Sequence, residues 1–100
     1  MSSISKIKIS ELPWKSFRDN ADIKNLVDKE LKVDLIKLAP NAIFDKHLHE
    51  ATEWLYIVDG EYSDAYGTYR KGDFVINKKG SSHATKSGKR GCVVLAIKRA

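Results

Sequence analysis

Two histidines that lie two residues apart, followed by a glutamate and later by a third histidine, are the residues of this chain best suited to chemistry. They are His47, His49, Glu53 and His83, and the chain has no other histidine. Because residues two apart in a strand point to the same face, His47 and His49 can direct both imidazoles at one point. Three imidazoles and one carboxylate suit a divalent transition metal. The spacing therefore predicts a metal site formed by these four side chains.

Two carboxylates compete for this site. Glu53 has the same parity as the histidines, and it reaches them if the chain stays nearly extended or turns compactly after His49. Glu50 has the opposite parity, which places it on the other face of a strand. An HxH pair alone also arises by chance, so the third histidine and the carboxylate are what favour a metal site. Glu53 is interpreted either as a ligand or as a hydrogen-bond partner of a ligand.

Length and composition predict one domain. The chain has 100 residues, of which 42% are hydrophobic, and this supports one modest core spanning residues 1–100. No apolar run approaches the roughly 20 residues of a membrane-spanning helix. The first ten residues lack the pattern of a signal peptide. The single cysteine, Cys92, cannot form an internal disulfide, which is typical of a reducing compartment. We therefore expect a cytoplasmic protein that does not contact membranes.

The net charge of +5 is interpreted as a property of solvated surface rather than of a nucleic-acid interface. No aromatic RNA-binding pattern and no helix-turn-helix accompanies the basic residues. The charge can still attract a small anionic ligand or substrate. The basic residues of the second half of the chain include Lys78, Lys79, Lys86, Lys89, Arg90, Lys98 and Arg99.

The elements that must position the site are predicted to be short strands. For residues 20–31 the apolar spacing also allows one to three helical turns, but a strand is preferred. Repeated Gly and Asp turns between strands predict an all-β sandwich or small barrel. The predicted strands cover residues 4–9, 20–31, 31–38, 43–49, 53–58, 61–63, 73–77, 83–85 and 92–97.

Four local features are also predicted. The apolar phase slips at Leu35–Ile36, which indicates a β-bulge. Asp59–Gly60 is typical of a hairpin turn. The segment Ser87–Gly91 is expected to be a flexible loop. Trp14 and Phe17 are expected to cover the core.

Two motifs resemble those of the cupins. The first is His47-x-His49-x3-Glu53-x6-Gly60 and the second is Gly72-x5-Lys78-x-Gly80-x2-His83. The resemblance is closest to the ChrR-type cupin domain and covers roughly residues 12–99. Departures from the usual motifs affect turn positions and none of the four predicted ligands. The phrases that carry the closer resemblance are Gly60–Asp64, Gly80–His83 and Ser87–Cys92, and the departures are at Asn41, Lys78 and Ser87.

The resemblance implies a cupin-type β-sandwich or jelly-roll barrel that holds one divalent ion, with Fe, Zn, Mn and Ni as the candidates. It leaves two functions open. The first is a mononuclear-metal, dioxygenase-like enzyme that acts on a small carbonyl or dicarbonyl compound, as in relatives of the acetylacetone-cleaving dioxygenase. The alternative is a non-catalytic zinc-binding sensor similar to the ChrR domain.

A homodimer is also implied by the resemblance, because cupins commonly pair through their sheets. The candidate interface strands are Ile4–Ile9 and Cys92–Ile97. Cys92 could be a metal ligand or a redox sensor, but an inert buried cysteine is the preferred interpretation.

Overall fold

Eight antiparallel strands form the framework of the chain in a computed structural model, which describes residues 3–100. Met1 and Ser2, which begin the segment inspected for a signal peptide, lie outside the described residues. A single-turn 3-10 helix at Ile9–Glu11 is the one helical element that the structure describes. Accordingly, residues 3–100 contain no helix long and apolar enough to cross a membrane. The strands are β1 (Lys15–Arg18), β2 (Ala21–Asp28), β3 (Leu31–Leu38), β4 (Ile43–Leu48), β5 (Glu53–Asp64), β6 (Gly67–Arg70), β7 (Phe74–Asn77) and β8 (Ser82–Arg99).

The two long strands, β5 and β8, pair with each other along most of their length and divide the sheet into two halves. The larger half-sheet has the order β1-β2-β3-β8-β5-β7 and uses the end of β8 and the start of β5. The smaller half-sheet has the order β4-β8-β5-β6 and uses the start of β8 and the end of β5. Both long strands therefore bend from one half-sheet into the other, and the inner faces of the two halves lie opposite each other.

Two glycines form the corner at which the long strands bend. Gly60 of β5 has φ +69° and Gly91 of β8 has φ +76°, both in the left-handed region that favours glycine. A Cβ atom added to Gly60 would lie 2.1 Å from the Gly91 carbonyl oxygen. The β5–β8 register also shifts on both sides of Gly60. The corner is thus a pair of facing bulges at which the two backbones come too close for any side chain.

This corner overturns two of the predictions. Asp59–Gly60 is not a hairpin, because β5 continues to Asp64 and only Gly60 of the pair has positive φ, whereas a type I′ turn needs it at both residues. The hairpin that follows β5 turns instead at Ala65–Tyr66. Ser87–Gly91 is not a flexible loop, because it is the part of β8 that rounds the corner. Ser87 is 2% exposed, and its hydroxyl accepts from the Ala42 amide at 2.8 Å.

The strand preferred for residues 20–31 is confirmed as β2, but the predicted bulge at Leu35–Ile36 is wrong. Strand β3 pairs with β8 without a break from Leu31 to Leu38. The irregularity lies in the neighbouring strand, between Asn25 and Val27. Both faces of β3 are partly covered, so its apolar residues can occupy either face without a change of register.

The segment before β1 also differs from its prediction. Ile4–Ile9 forms no strand, and it leads into the 3-10 helix. Lys24 Nζ donates to the Ile9 carbonyl oxygen at 3.0 Å and lies 4.7 Å from the centre of the Trp14 ring. Lys37 Nζ lies 4.5 Å from the same ring. Trp14 therefore packs against two ammonium groups, and neither it nor Phe17 belongs to the core cluster.

The apolar core lies on the inner face of the larger half-sheet and at the corner. Ile57 is fully buried, and it is surrounded by side chains from β5, β7 and β8. The all-β class predicted from the sequence is confirmed. The core cluster consists of Leu55, Ile57, Tyr62, Val75, Cys92, Val94 and Ala96.

Candidate metal centre

Backbone pairing between β4 and the start of β8 brings the three histidines together. His47 and His83 are directly opposite each other across these two strands. His49 lies one residue beyond the end of β4, but its pairing continues, since its amide donates to the Ser81 carbonyl oxygen at 2.9 Å. The Gly80 amide returns a bond of 2.9 Å to the His49 carbonyl oxygen. The tight turn before His83 is therefore held against the HxH segment.

The three imidazoles face a common point. Their ring centres are 4.7 to 4.8 Å apart in all three pairs. One nitrogen from each ring can be chosen so that all three lie within 4.8 Å of one another. The Nε2 atoms of His49 and His83 are only 3.0 Å apart. Two nitrogens bound to one ion at about 2.1 Å each lie roughly 3 Å apart, so this pair is already spaced for a shared ion.

A buried carboxylate sets the orientation of His83. Asp64 Oδ2 lies 3.0 Å from His83 Nδ1, and both side chains are more than nine-tenths buried. A carboxylate only accepts hydrogen bonds, so Nδ1 carries the proton and Nε2 keeps its lone pair for the common point. This is the carboxylate–histidine arrangement that accompanies most histidine ligands of metals.

Asp64 is itself held in place by three further donors. Its Oδ1 accepts from the Tyr66 amide at 2.8 Å, the Gly67 amide at 3.1 Å and the Tyr69 hydroxyl at 3.1 Å. Burial by itself would raise the pKa of Asp64, but the bonds from His83, Tyr66 and Tyr69 outweigh it and lower the pKa below its ordinary value. The carboxylate is therefore a fixed negative charge behind His83.

Burial also prepares His49 as a ligand. It lowers the pKa of His49 to about 4, and the nearby His83, His47 and Lys98 act in the same direction. The imidazole is therefore neutral at neutral pH and has a lone pair available for a metal. His47 is the more exposed of the three, and its Nδ1 lies 3.4 Å from the Asp45 carbonyl oxygen.

The fourth predicted ligand stands apart from the three histidines. Glu53 begins β5, where it is opposite Asn77 on one side and Lys98 on the other. It lines the same pocket as the histidines but is outside the group whose ligand atoms lie within 4.8 Å of one another. Glu50 also lines this pocket.

Asp64 is the site residue that the sequence reasoning did not identify. It ends the phrase Gly60–Asp64 on which the family resemblance rests, but the motif gives it no role. A signal was present, since an Asp followed by Ala-Tyr-Gly is typical of a carboxylate that caps a turn. The contact with His83 could not be read in this way, because it joins residues 19 apart in sequence.

A pocket of about 420 Å³ opens beside the imidazoles, between the inner faces of the two half-sheets. Its apolar wall comes mainly from the larger half-sheet, and the histidines and Tyr62 come from the smaller half-sheet and the chain around it. This volume is at the low end of small-molecule sites. The larger half-sheet contributes Phe17, Ile36, Leu38, Leu55 and Val94 to the apolar wall, and β4 contributes Phe44 and Leu48.

The residues present fit a divalent transition metal. Three neutral imidazoles are a donor set that such ions accept. The Asp64 contact holds one of them in the ligand tautomer. A 3.0 Å approach of two ring nitrogens places two lone pairs against each other unless a proton or a cation lies between them. A one-metal site at His47, His49 and His83 is therefore chemically consistent with the fold.

Comparison with known proteins agrees with this architecture. The family model described as the ChrR cupin-like domain matches residues 4–100. The complex of SigE with the anti-sigma ChrR from Rhodobacter sphaeroides matches with a TM-score of 0.80 at 17% identity, over 91% of this chain and 51% of that chain. This chain thus spans about half the length of the matched chain in that complex.

Two further solved structures share the fold over most of their length. KdgF from Halomonas sp. matches with a TM-score of 0.80 at 17% identity, covering 95% of this chain and 94% of that one. The polyketide cyclase RemF from Streptomyces resistomycificus matches with a TM-score of 0.83 at 14% identity, covering 96% and 79%. At such identities the likeness establishes the fold alone. No curated protein matches the chain in sequence.

Proposed function

The chain belongs to the ChrR cupin-like domain family, and we propose that it binds one divalent metal ion through His47, His49 and His83 and acts on a small carbonyl or dicarbonyl compound. The observation that carries this proposal is the convergence of three imidazoles at the wall of a pocket of about 420 Å³. The arrangement leaves room for a small molecule directly beside the ligand atoms.

An open site favours catalysis over a purely structural role. Structural zinc sites have four protein ligands, whereas catalytic sites have three and keep a position for water or substrate. A divalent ion bound here would supply Lewis-acid polarisation of a carbonyl oxygen. The chain's own part is to orient the His83 imidazole through Asp64 and to exclude water with the apolar pocket wall.

Glu53 remains a proposed fourth ligand, because its carboxylate is on the pocket wall. If it binds the ion directly, Glu53→Gln should weaken metal retention as strongly as loss of a histidine. If instead it faces the bound compound, the same variant should retain the metal. Metal content of Glu53→Gln therefore separates the two roles.

The first test is metal stoichiometry measured by mass spectrometry on protein purified both with and without air. We expect about one ion per chain in the unaltered protein and less than roughly a tenth of that in the His47→Ala/His49→Ala variant. The variant keeps only His83 and Glu53 as donors, and these cannot replace two imidazoles. Leu48→Ala is the matched control, because Leu48 lies between the two histidines and is 61% exposed. Equal metal content in the double variant and the control would refute the site.

The identity of the ion then tests the chemistry. Iron, manganese or nickel leads to an oxygen-electrode assay with acetylacetone and related small dicarbonyl compounds. Oxygen consumption that requires the metal and is lost in the histidine variant would establish the dioxygenase-like activity. A redox-active ion without any oxygen consumption would contradict it.

The alternative proposal is a non-catalytic zinc-binding sensor. Its support is the likeness in fold to the chain in the SigE–ChrR complex, together with Glu53, which would complete a closed shell of four donors. Tight zinc binding that Glu53→Gln weakens, with no exchangeable ligand on the ion, would favour this function over the enzyme.

The proposed homodimer needs a different surface from the two strands named from the sequence. Ile4–Ile9 is not a strand, and Cys92–Ile97 is paired on both sides by β3 and β5, so it has no free edge. Exposed apolar side chains instead lie together on the outer face of β5 and β7. We propose that this face pairs with a second copy, and Phe74→Asp should then lower the mass measured by light scattering to that of one chain. The face consists of Tyr56, Val58, Phe74 and Ile76.

A further inference from the structure

Two buried polar groups on the pocket wall lie beside each other, and neither has any other hydrogen-bond partner within the part of the chain that the structure describes. They are the Tyr62 hydroxyl and the Asn77 side-chain amide nitrogen. Tyr62 is 3% exposed and Asn77 is 9% exposed. Both residues line the pocket that contains the three histidines.

Such groups are costly in a folded protein. A buried donor without an acceptor has lost its hydrogen bonds to water without replacement, and native structures keep only a few such groups. The Asp64 carboxylate already accepts hydrogen bonds from His83, Tyr69 and two turn amides. It therefore has no lone pair left for the Tyr62 hydroxyl. The Tyr62 ring packs on Tyr69 at 4.9 Å and edge-on toward His83 at 6.5 Å between ring centres.

The two groups share one chemical capacity, because a phenol O–H and an amide N–H2 both donate hydrogen bonds. Burial raises the pKa of Tyr62 well above its ordinary value, with Tyr69, Asp64 and Cys92 acting in the same direction, and a hydrogen bond from the Asn77 side chain opposes them. The phenol therefore stays neutral and keeps its proton at neutral pH. The amide has a second N–H, so each of the two groups still has one hydrogen free to donate.

We infer that the Tyr62 hydroxyl and the Asn77 amide form a binding subsite that donates two hydrogen bonds to a carbonyl or carboxylate oxygen of the small molecule in the pocket. This inference rests on the proposed function, since the metal would hold another atom of the same molecule. The subsite explains why a phenol O–H and an amide N–H are left free on one wall, and it sets a chemical requirement for the ligand.

The requirement is an acceptor oxygen. A ligand without one would leave both donors buried and unpaired, and sites built to pair a polar group reject analogues that lack it far more strongly than apolar pockets reject a missing methylene. Hydrocarbons and simple amines of the same size should therefore be excluded from a pocket whose remaining walls are apolar.

The test uses zinc-loaded protein and two probes, acetylacetone and pyruvate, with dissociation constants measured by calorimetry. Tyr62→Phe and Asn77→Leu each remove one donor with little change of shape. We expect each to weaken binding of at least one probe by about 3- to 10-fold, which is the effect of one hydrogen bond. Tyr66→Phe is the matched control, since Tyr66 is 81% exposed and does not line this pocket.

Thermal unfolding of the metal-free variants is a second measurement. It shows whether the Tyr62 hydroxyl contributes to the stability of the fold. If the hydroxyl proton has no acceptor in the fold, Tyr62→Phe should unfold at the same temperature as the unaltered protein or higher. If it is part of the fold's hydrogen bonding, the same variant should unfold several degrees lower.

The possible outcomes distinguish a failure of the subsite from a failure of the proposed function. Unchanged affinity for both probes in Tyr62→Phe and Asn77→Leu, or zinc-loaded protein that binds neither probe, would overturn the subsite and leave the metal site standing. Failure of the unaltered protein to retain zinc would overturn the proposed function itself. Weaker binding in both variants at unchanged zinc content, with unaffected Tyr66→Phe, would establish the subsite.

Discussion

Strand β8 passes through two buried regions, one of which is almost entirely apolar while the other contains several polar side chains. Its later half contributes Cys92, Val94 and Ala96 to a core of apolar side chains. Its first residues contribute His83 to a region where imidazoles, a carboxylate and a phenol are buried together. The same strand therefore builds both the part of the molecule that is stabilised by packing and the part that can bind a ligand.

The contrast shows where this protein keeps buried hydrogen-bonding groups that are not fully paired. At the corner, even a buried hydroxyl is fully used, since Ser87 bonds to the backbone at Ala39 and Ala42. In the site, the Tyr62 hydroxyl and the Asn77 amide have no partner among residues 3–100 except each other. Functional sites commonly keep such unfavourable features at the expense of stability, and the surrounding core must compensate.

The strongest test of the contrast is Gly60→Ala, which acts on the corner. The added Cβ would meet the Gly91 carbonyl oxygen at 2.1 Å, and φ is +69°. Because the contact is with backbone on a neighbouring strand, we expect a loss of about 3 kcal/mol or more in the free energy of unfolding. Calorimetric or denaturant unfolding measures this loss.

Gly72→Ala is the control for Gly60→Ala. Gly72 also has positive φ, +95°, but nothing lies within 4 Å of its added Cβ. It should therefore lose only about 1–2 kcal/mol from backbone conformation. If the two variants lose equal stability, the corner is not the rigid contact that the structure indicates.

A smaller effect, confined to the site, is expected from Asp64→Asn. Oδ1 accepts three hydrogen bonds, so the amide oxygen should take that position and the NH2 group should face His83. His83 would then accept at Nδ1 and carry its proton on Nε2, the nitrogen needed for the metal. Metal affinity should fall about 10- to 100-fold, as for other partners of histidine ligands.

The matched control is Asp73→Asn. Asp73 caps a neighbouring turn by accepting from the Arg70 amide at 2.7 Å, and no contact with an imidazole accompanies that bond. It should leave metal affinity unchanged in a competition titration with a chelator. Equal affinities for Asp64→Asn and the unaltered protein would show that His83 does not depend on this carboxylate.

The smallest signal is expected from Cys92, which tests the closed character of the core. It is 2% exposed, and burial, assisted by Asp59 and Glu61, raises the pKa of its thiol to about 12. A maleimide or disulfide reagent at pH 8 should label the native protein at least about 100-fold more slowly than the unfolded chain. Rapid labelling of native protein would contradict a sealed core.

The same thiol gives a pH dependence of defined sign. An unfolded thiol ionises near pH 9.0, whereas the folded one does so near 12. The unfolded state therefore releases its proton first, and the contribution of Cys92 to stability is complete below pH 9 and declines as the pH rises above it. Cys92→Ala should show a correspondingly weaker loss of stability in that range.

Much of the strand content was predictable because it depends on local patterns. Alternation and turn residues located β3, β7 and the start of β5. The wrong predictions are at positions where the same local pattern is compatible with two backbone geometries. An Asp-Gly pair can close a hairpin or bend a continuous strand, and the choice depended on Gly91, 31 residues further along the chain. Glycines in Ser87–Gly91 likewise indicated a loop, although they allow a strand to turn the corner.

What the sequence by itself determined is the set of donors and their local placement. Residue types and parity identified three imidazoles and the HxH geometry, because the direction of a side chain along a strand depends only on its own backbone. What only the tertiary structure decided is which donors meet. Register between strands distant in sequence places Asp64 behind His83 and keeps Glu53 apart from the imidazoles. It also places Tyr62 and Asn77 side by side on the pocket wall. The pattern within one strand shows which face each side chain takes, but packing across the sheet decides which residue of a distant strand lies opposite it.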